Sequence, residues 1–235
     1  MKRAIAAVVF FMSVCTVLDA YVLFEDPWPD GAIVMQLQLG SDAPLIDGSP
    51  GWNAAAEDAL AIWNRHLGRV RFLAIRGSTA PIADNNRYNN VFFSGSLYGH
   101  SLGSSTLALT TNWYRVSTGR RNEADVIFNN GFSWNSYRGT LRQRPDGGLL
   151  ADLHRVALHE FGHVLGLNHP NEFGQSVDSI MNSSVSNLDT LQSDDLTGAA
   201  ALYGTNDDAF PSPTGDDCSW QRERDPSCRQ RRPSG

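Results

Sequence analysis

Apolar and polar residues alternate in the stretch AIVMQLQLG, which begins at Ala32. A repeat of two residues is typical of a β-strand that is covered on one face only. The apolar side of this stretch carries Ile33, Met35, Leu37 and Leu39, opposite Val34, Gln36 and Gln38. The pattern therefore predicts a first strand at this point of the chain.

A helical period follows the first strand. Apolar residues between Trp52 and Leu67 recur at intervals of three and four, which predicts one amphipathic helix. Ser49 followed by Pro50 is typical of a helix start, because a serine caps the first turn and a proline suits the first helical position. Gly68 is the predicted end of this helix.

Further strands are predicted after this helix. The stretches with strand character are VRFLAI from Val70, VFF from Val91, STLALTT from Ser105 and ADVIFN from Ala124. One helix and four or five strands thus precede the next helical segment, so we expect a domain that mixes helices with a sheet.

The stretch ADLHRVALHEFGHVLG predicts a second, mostly buried helix. Asp152 is the predicted N-cap, and apolar residues keep a helical spacing from Leu153 to Leu165. Gly166 is suited to end the helix, because glycine adopts a positive φ at almost no cost.

Three histidines lie within the stretch HEFGHVLGLNH. His159 and His163 are four residues apart, so they lie one turn apart on the same helix face. A sharp turn at Gly166 would bring His169 back toward them. Three imidazoles with one open coordination position are typical of a catalytic zinc site.

Glu160 follows the first of these histidines and is the predicted general base. Its presence favours a catalytic zinc over a structural one, which a fourth Cys or His more often closes. His154 lies about 140° around the helix from His159, so we expect a partly exposed histidine that points away from the ion. His100 is expected in a loop and not at the site.

Composition and charge narrow the class of protein. The chain has 235 residues, of which 41% are hydrophobic and 19% charged, and this is typical of one globular domain. The formal net charge of −6, without a basic stripe, argues against a nucleic-acid partner.

The first 20 residues have the layout of a secretory signal peptide. Lys2 and Arg3 precede the apolar run from Ala4 to Leu18, and the small residue Ala20 follows. A membrane anchor is the alternative, but the run is short for a bilayer span. We therefore expect export, with a mature chain that starts near Tyr21 and no later membrane span.

The mature chain would keep Cys218 and Cys228, which in an exported protein most simply form one disulfide. Both lie in a polar, Pro-rich segment with few residues to bury. The predicted organisation is a signal peptide at 1–20, a catalytic domain at 21–204 and a tail at 205–235.

The histidine stretch resembles the metzincin zinc endopeptidases, whose extended motif it matches at every fixed position. That family also has a methionine in a tight turn beneath the zinc, and Met181 in SIMNSS is the matching residue. Within the metzincins the chain looks most similar to the matrixins, through LQSDDLTGAAALYG and EADVIFNNGFSW. Pro170, directly after the third histidine, is more similar to the serralysins, which we keep as the second choice.

The resemblance implies an α+β fold of the zincin type. Its parts would be a twisted, mostly parallel sheet, two long helices of which one carries the active site, and a small C-terminal subdomain with a final helix. Substrate would lie along an exposed sheet edge, where Leu107 and Ala108 would offer backbone groups. We expect one catalytic zinc and no cysteine-switch propeptide; calcium is a further candidate, through Asp125 or Asp146.

These observations together predict a secreted, monomeric zinc endopeptidase that cleaves proteins or peptides. Two alternatives stay open, namely a non-catalytic zinc-containing module that binds protein and a zinc amidase that acts on a non-protein substrate. Cleavage preference cannot be read from the segment between Met181 and Leu191.

Overall fold

The computed structural model describes residues 21–24, 26–40 and 43–206. The predicted signal peptide and the two cysteines of the predicted disulfide lie outside these residues. The helices are α1 (Trp52–Asn64), α2 (Leu153–Leu165) and α3 (Ser193–Tyr203), with a 3-10 turn at Pro170–Phe173. The strands are β1 (Val22–Leu23), β2 (Gly31–Gln38), β3 (Val70–Arg76), β4 (Asn89–Ser94), β5 (Ser96–Leu97), β6 (His100–Ser101), β7 (Ala108–Arg115), β8 (Arg120–Asn129), β9 (Trp134–Asn135), β10 (Arg142–Gln143), β11 (Leu149–Asp152) and β12 (Leu167–Asn168).

A five-stranded sheet in the order β3-β2-β4-β8-β7 forms one layer of the fold. The strands from β3 to β8 are parallel to their neighbours, and β7 is antiparallel to β8 at the edge. The prediction of a mostly parallel sheet is thus confirmed. Ile33, Met35 and Leu37 of β2 are at most 2% exposed, as their alternation predicted.

The edge strand β7 begins at Ala108, three residues later than the predicted start at Ser105. The side-chain amide of Asn129 donates hydrogen bonds to the carbonyl oxygens of Gly103, at 3.1 Å, and of Thr106, at 2.8 Å. These bonds hold the preceding residues in a loop, and the sequence pattern does not show them.

The predicted start of α1 at Ser49 and Pro50 is wrong. The helix begins at Trp52, and its N-cap, Gly51, makes no side-chain cap hydrogen bond. Ser49 instead belongs to a turn, in which its carbonyl oxygen accepts a hydrogen bond from the Leu45 amide at 2.9 Å. The turn uses the residue that would otherwise have capped the helix.

The predicted end of α1 at Gly68 is also wrong, because the helix ends at Asn64. Gly68 lies against the end of α3, where a Cβ atom would come within 2.5 Å of the Thr205 carbonyl oxygen and 2.8 Å of the Tyr203 carbonyl oxygen. Glycine is required here by the close approach of two backbones, which explains why it resembles a helix stop in the sequence.

The two long helices pack on the same face of the sheet and share one core. Trp63 of α1 is fully buried, and its indole Nε1 donates to the Leu158 carbonyl oxygen of α2 at 2.9 Å. Phe161 of α2 packs on Phe72 of β3 with ring centroids 5.9 Å apart. Helix α2 is therefore fixed both by the sheet and by α1.

The C-terminal carbonyl groups of α2, which lack partners within the helix, are bonded by side chains from distant parts of the chain. The Arg121 guanidinium donates to the carbonyl oxygens of His163, at 2.6 Å, and Val164, at 2.7 Å. Trp28 also donates to the Val164 oxygen, and the Tyr203 hydroxyl donates to the Leu165 oxygen at 2.5 Å.

Arg121 is a buried cation at the negative end of the α2 dipole. Its side chain is 3% exposed, and burial lowers its pKa to about 10, so it stays charged at neutral pH. No helix in the described part of the chain has the length and apolar character needed to cross a bilayer.

Replacing Arg121 by methionine is expected to destabilise the fold. The change leaves the His163 carbonyl without its side-chain donor, which predicts a loss of about 2–4 kcal/mol in the free energy of unfolding. Urea unfolding of the purified variant measures this loss. Arg120→Met is the matched control, since Arg120 is exposed, and an equal loss in both variants would contradict the capping role.

Candidate active site

Helix α2 and the turn that follows it bring three histidines together. His159, His163 and His169 each offer a ring nitrogen, and these atoms all lie within 4.8 Å of one another. Gly166 ends the helix with φ 112° and ψ 15°, in the left-handed region where L-residues are strained. The predicted helix end and the predicted return of the third histidine are both confirmed.

The segment between the second and third histidines is also held by the N-terminal part of the chain. Strand β1 pairs antiparallel with β12, so that Val22 lies opposite Asn168 and Leu23 opposite Leu167. The Phe24 amide donates to the Gly166 carbonyl oxygen at 2.8 Å. The two backbone ends of this short turn are thereby fixed.

The outward-facing nitrogens of the histidines are bonded to oxygen acceptors. His159 Nδ1 lies 2.8 Å from the Ile180 carbonyl oxygen, and His163 Nδ1 lies 2.8 Å from the Leu167 carbonyl oxygen. His169 Nδ1 lies 3.0 Å from a carboxylate oxygen of Glu172. An oxygen acceptor at Nδ1 requires the hydrogen on that atom, which leaves the Nε2 lone pair free.

The three Nε2 atoms face one another at 2.9, 3.0 and 3.2 Å. Because none of them carries a hydrogen in this tautomer, three lone pairs converge without a proton to share. Only a cation relieves this repulsion. Two nitrogen ligands at about 2.0–2.1 Å from a tetrahedral zinc lie about 3.3–3.4 Å apart, so the set fits zinc with a small outward shift.

Burial keeps the helix histidines neutral, which is the form that binds a metal. It lowers the pKa of His159, and it lowers the pKa of His163 well below the usual value, with the charge of His159 as the second cause. Neither side chain has to lose a proton at neutral pH before it can act as a ligand.

Glu160 is 4% exposed and lines the same cleft as the three histidines. Burial raises its pKa to about 7, against the lowering effect of a hydrogen bond from Thr110 and of the nearby His169. The Thr110 hydroxyl lies 2.6 Å from Glu160 Oε2. A carboxylate whose pKa is near neutrality can both accept and release a proton at working pH.

Met181 lies beneath the helix, in a turn that α3 holds in place. Its side chain is 1% exposed, and its sulfur would be 2.3 Å from a Cβ atom added at Gly162. The buried Asp195 carboxylate accepts hydrogen bonds from the Ile180 amide at 3.0 Å, the Met181 amide at 3.3 Å and the Ser179 hydroxyl at 2.5 Å. This turn also presents the Ile180 carbonyl to His159.

The three histidines and Glu160 open onto a cleft with a volume of about 690 Å³. One side is formed by residues 105–110 at the sheet edge, and the other by residues 179–186 after the third histidine. Arg155 also lines the cleft, although its guanidinium is 3.4 Å from the Asp152 carboxylate and donates to the Ser186 and Gly139 carbonyls. The cleft is long enough for an extended chain.

Two predictions about single residues need correction. His154 is 1% exposed and not partly exposed, because its Nε2 lies 3.0 Å from the Asp58 carboxylate of α1. Asp152 is the N-cap residue of α2 as predicted, but it makes no cap hydrogen bond and instead accepts one from the Tyr137 amide at 3.2 Å. His100 is exposed and lies outside the cleft lining, as expected.

Sequence reasoning missed several residues that shape the site, namely Phe24, Thr110, Arg121 and Asp195. Phe24 lies edge-on to His163, with ring centroids 6.3 Å apart. Only Asp195 had a usable signal, since it follows Gln192 at the spacing of a capping box, and the structure contains that box. The others are distant in sequence from the histidines they support.

Comparison with known proteins is consistent with this geometry. The sequence model of the matrixin family, peptidase family M10, matches residues 51–204. This range includes the three histidines, the turn with Met181 and helix α3. A search of curated proteins finds no match to the chain.

We expect Asp195→Asn to weaken the site. The amide has one acceptor oxygen where the carboxylate has two, so the loss should be about 2–4 kcal/mol in the free energy of unfolding, with weaker zinc retention. Chelator competition and urea unfolding measure the two effects. Asp194→Asn removes the same charge from the same helix turn, and a similar loss there would show that the charge, and not the hydrogen bonds, matters.

Proposed function

Since the chain belongs to the matrixin family of zinc metallopeptidases, we propose that it hydrolyses peptide bonds in the cleft above His159, His163 and His169, with Glu160 as general base. The observation that carries the proposal is the convergence of three unprotonated Nε2 atoms within 3.2 Å, beside a buried carboxylate. Its substrates are proteins or peptides.

The three histidines would hold the zinc through Nε2. Zinc, when bound, supplies Lewis-acid polarisation of the scissile carbonyl and lowers the pKa of water. Glu160 accepts the proton from the attacking water and delivers it to the nitrogen of the leaving amine. Met181 and Asp195 fix the turn whose carbonyl oxygen, at Ile180, keeps the first histidine in the required tautomer.

The free edge of β7 supports binding of an extended substrate as an additional strand. The Leu107 carbonyl oxygen already accepts a hydrogen bond from Asn129 at 2.8 Å, so this group is not free for substrate. Because backbone groups alternate in direction along a strand, those of Ala108 face the open edge. We therefore assign the backbone contact to Ala108 and leave Leu107 as a cleft-lining side chain.

Export and the domain plan stay predictions. We propose a secreted, monomeric enzyme whose signal peptide ends near Ala20, with a catalytic domain to residue 204, and whose tail is closed by a Cys218–Cys228 disulfide. The non-catalytic alternative has no use for a buried Glu160 beside the metal ligands, and the family favours peptide bonds over the amides of non-protein substrates.

Calcium also stays a prediction. Of the carboxylates named for it, Asp146 pairs with Arg144 on the surface. Asp125 is fully buried and accepts hydrogen bonds from the Asn90 amide, at 2.6 Å, and from the Tyr98 hydroxyl. A calcium ion at Asp125 would have to replace these partners, so the response of Asp125 to calcium is the decisive observation.

We expect Glu160→Ala to abolish cleavage of a quenched peptide, by about 10²–10⁴-fold, while the protein keeps one zinc per molecule. The histidines remain in place, so only the proton acceptor is lost. Peptide assays and zinc analysis of both proteins give the measurement. Glu57→Ala on α1 is the control and should cleave normally. Zinc retention without cleavage by the unmodified chain would favour the binding-module alternative.

Burial raises the pKa of Asp125 to about 6, above its value in the unfolded chain. The folded state therefore holds the proton more tightly, and stability should fall by roughly 2–3 kcal/mol as pH rises from about 4 to about 6, then level off. Urea unfolding in chelator measures this slope, which Asp125→Asn should lack and Asp146→Asn should keep. Loss of the slope on adding calcium would locate a calcium ion at Asp125.

A further inference from the structure

The sheet edge contributes one side chain to the active site as well as its backbone. Ala108, Thr110 and Asn112 line the cleft, as alternate residues of a strand must if one does. Thr111 lies between them, does not line the cleft, and has a buried hydroxyl without a hydrogen-bond partner among the described residues. Thr110 is thus the hydroxyl residue of β7 that faces α2.

The Thr110 hydroxyl is bonded to the proposed general base. Its oxygen lies 2.6 Å from Glu160 Oε2 and 3.2 Å from the Glu160 carbonyl oxygen. A backbone carbonyl and a carboxylate both accept, so the single hydroxyl hydrogen must come from threonine, and the shorter contact takes it. No other described residue donates a hydrogen bond to this carboxylate group.

We propose that Thr110 is a positioning residue for catalysis, because its hydroxyl fixes the Glu160 carboxylate and leaves Oε1 directed at the reacting water. A glutamate side chain has three rotatable bonds, and a carboxylate without a partner would sample several orientations in the cleft. Holding one orientation before substrate binds removes that entropy cost from the reaction step. This inference rests on the proposed function.

Threonine is better suited to this task than its two nearest analogues. Its branched Cβ restricts χ1, so the hydroxyl direction is set by the strand itself. Serine keeps the donor but turns more freely, whereas valine keeps the shape and loses the donor. The expected order of activity is therefore Thr110, then Thr110→Ser, then Thr110→Val.

The first measurement is peptide cleavage by the zinc-loaded mature chain. Thr110→Val should lower kcat roughly 10- to 100-fold, as expected for a lost hydrogen bond to a charged group, while KM changes less than about twofold. Thr110→Ser should stay within about fivefold of the unmodified chain. Thr111→Val makes the same chemical change one residue along and should have no effect. Zinc content and circular dichroism verify that each variant is folded and loaded.

The second measurement does not depend on turnover. A leucine-based peptide hydroxamate, whose hydroxyl hydrogen can bond to Glu160, is titrated calorimetrically into the same zinc-loaded proteins. Thr110→Val should weaken binding about tenfold in the natural chain and not at all in a Glu160→Ala background. That loss of coupling would show that threonine acts through the carboxylate.

The possible results separate cleanly. Unchanged kcat and hydroxamate affinity in Thr110→Val would overturn the inference, as would an equal loss in Thr111→Val or an undiminished loss in the Glu160→Ala background. A Thr110→Ser variant as poor as Thr110→Val would assign the effect to the methyl group instead. If the unmodified chain cleaves no peptide, the proposed function fails, but the hydroxamate titrations still decide the role of Thr110.

Discussion

The whole site depends on where α2 ends. A helix that continued past Leu165 would carry the chain away from the first two histidines, and His169 could not reach them. The left-handed turn at Gly166 prevents this, but such a turn exposes carbonyl groups that must be bonded in a buried place. Side chains from three distant parts of the chain bond them, and one of these is a buried arginine.

Two further supports converge on the same histidines from below and from the side. The Asp195 carboxylate at the start of α3 holds the turn that bonds His159, and the carbonyl of Leu167, in β12, bonds His163. Each ligand therefore has its ring orientation set by an oxygen from a different element. A shift in any one of these elements would rotate a single imidazole and leave the other two in place, which is why the supports have to be rigid together.

The sequence predicted local features well and distant ones poorly. The alternation in β2, the end of α2 at Gly166 and the histidine triad depend on residues within about ten positions, so their patterns are visible in the chain. Ser49 and Gly68 misled the helix boundaries because their roles come from contacts with other segments: a turn at Leu45 and the close approach of α3. Arg121 and Thr110 support α2 from more than 30 residues away, as their hydrogen bonds show, and no local pattern marks them.

The pairing of β1 with β12 and the bond between the Trp28 amide and the Tyr203 hydroxyl join both ends of the domain at the metal ligands. These partners in the second contact are 175 residues apart. During synthesis the histidines emerge well before Tyr203, so the ligand geometry cannot be completed until nearly the whole domain has left the ribosome. Topology thus delays assembly of the hydrolytic centre to the last stage of folding, when the nascent chain no longer offers itself as an unfolded substrate.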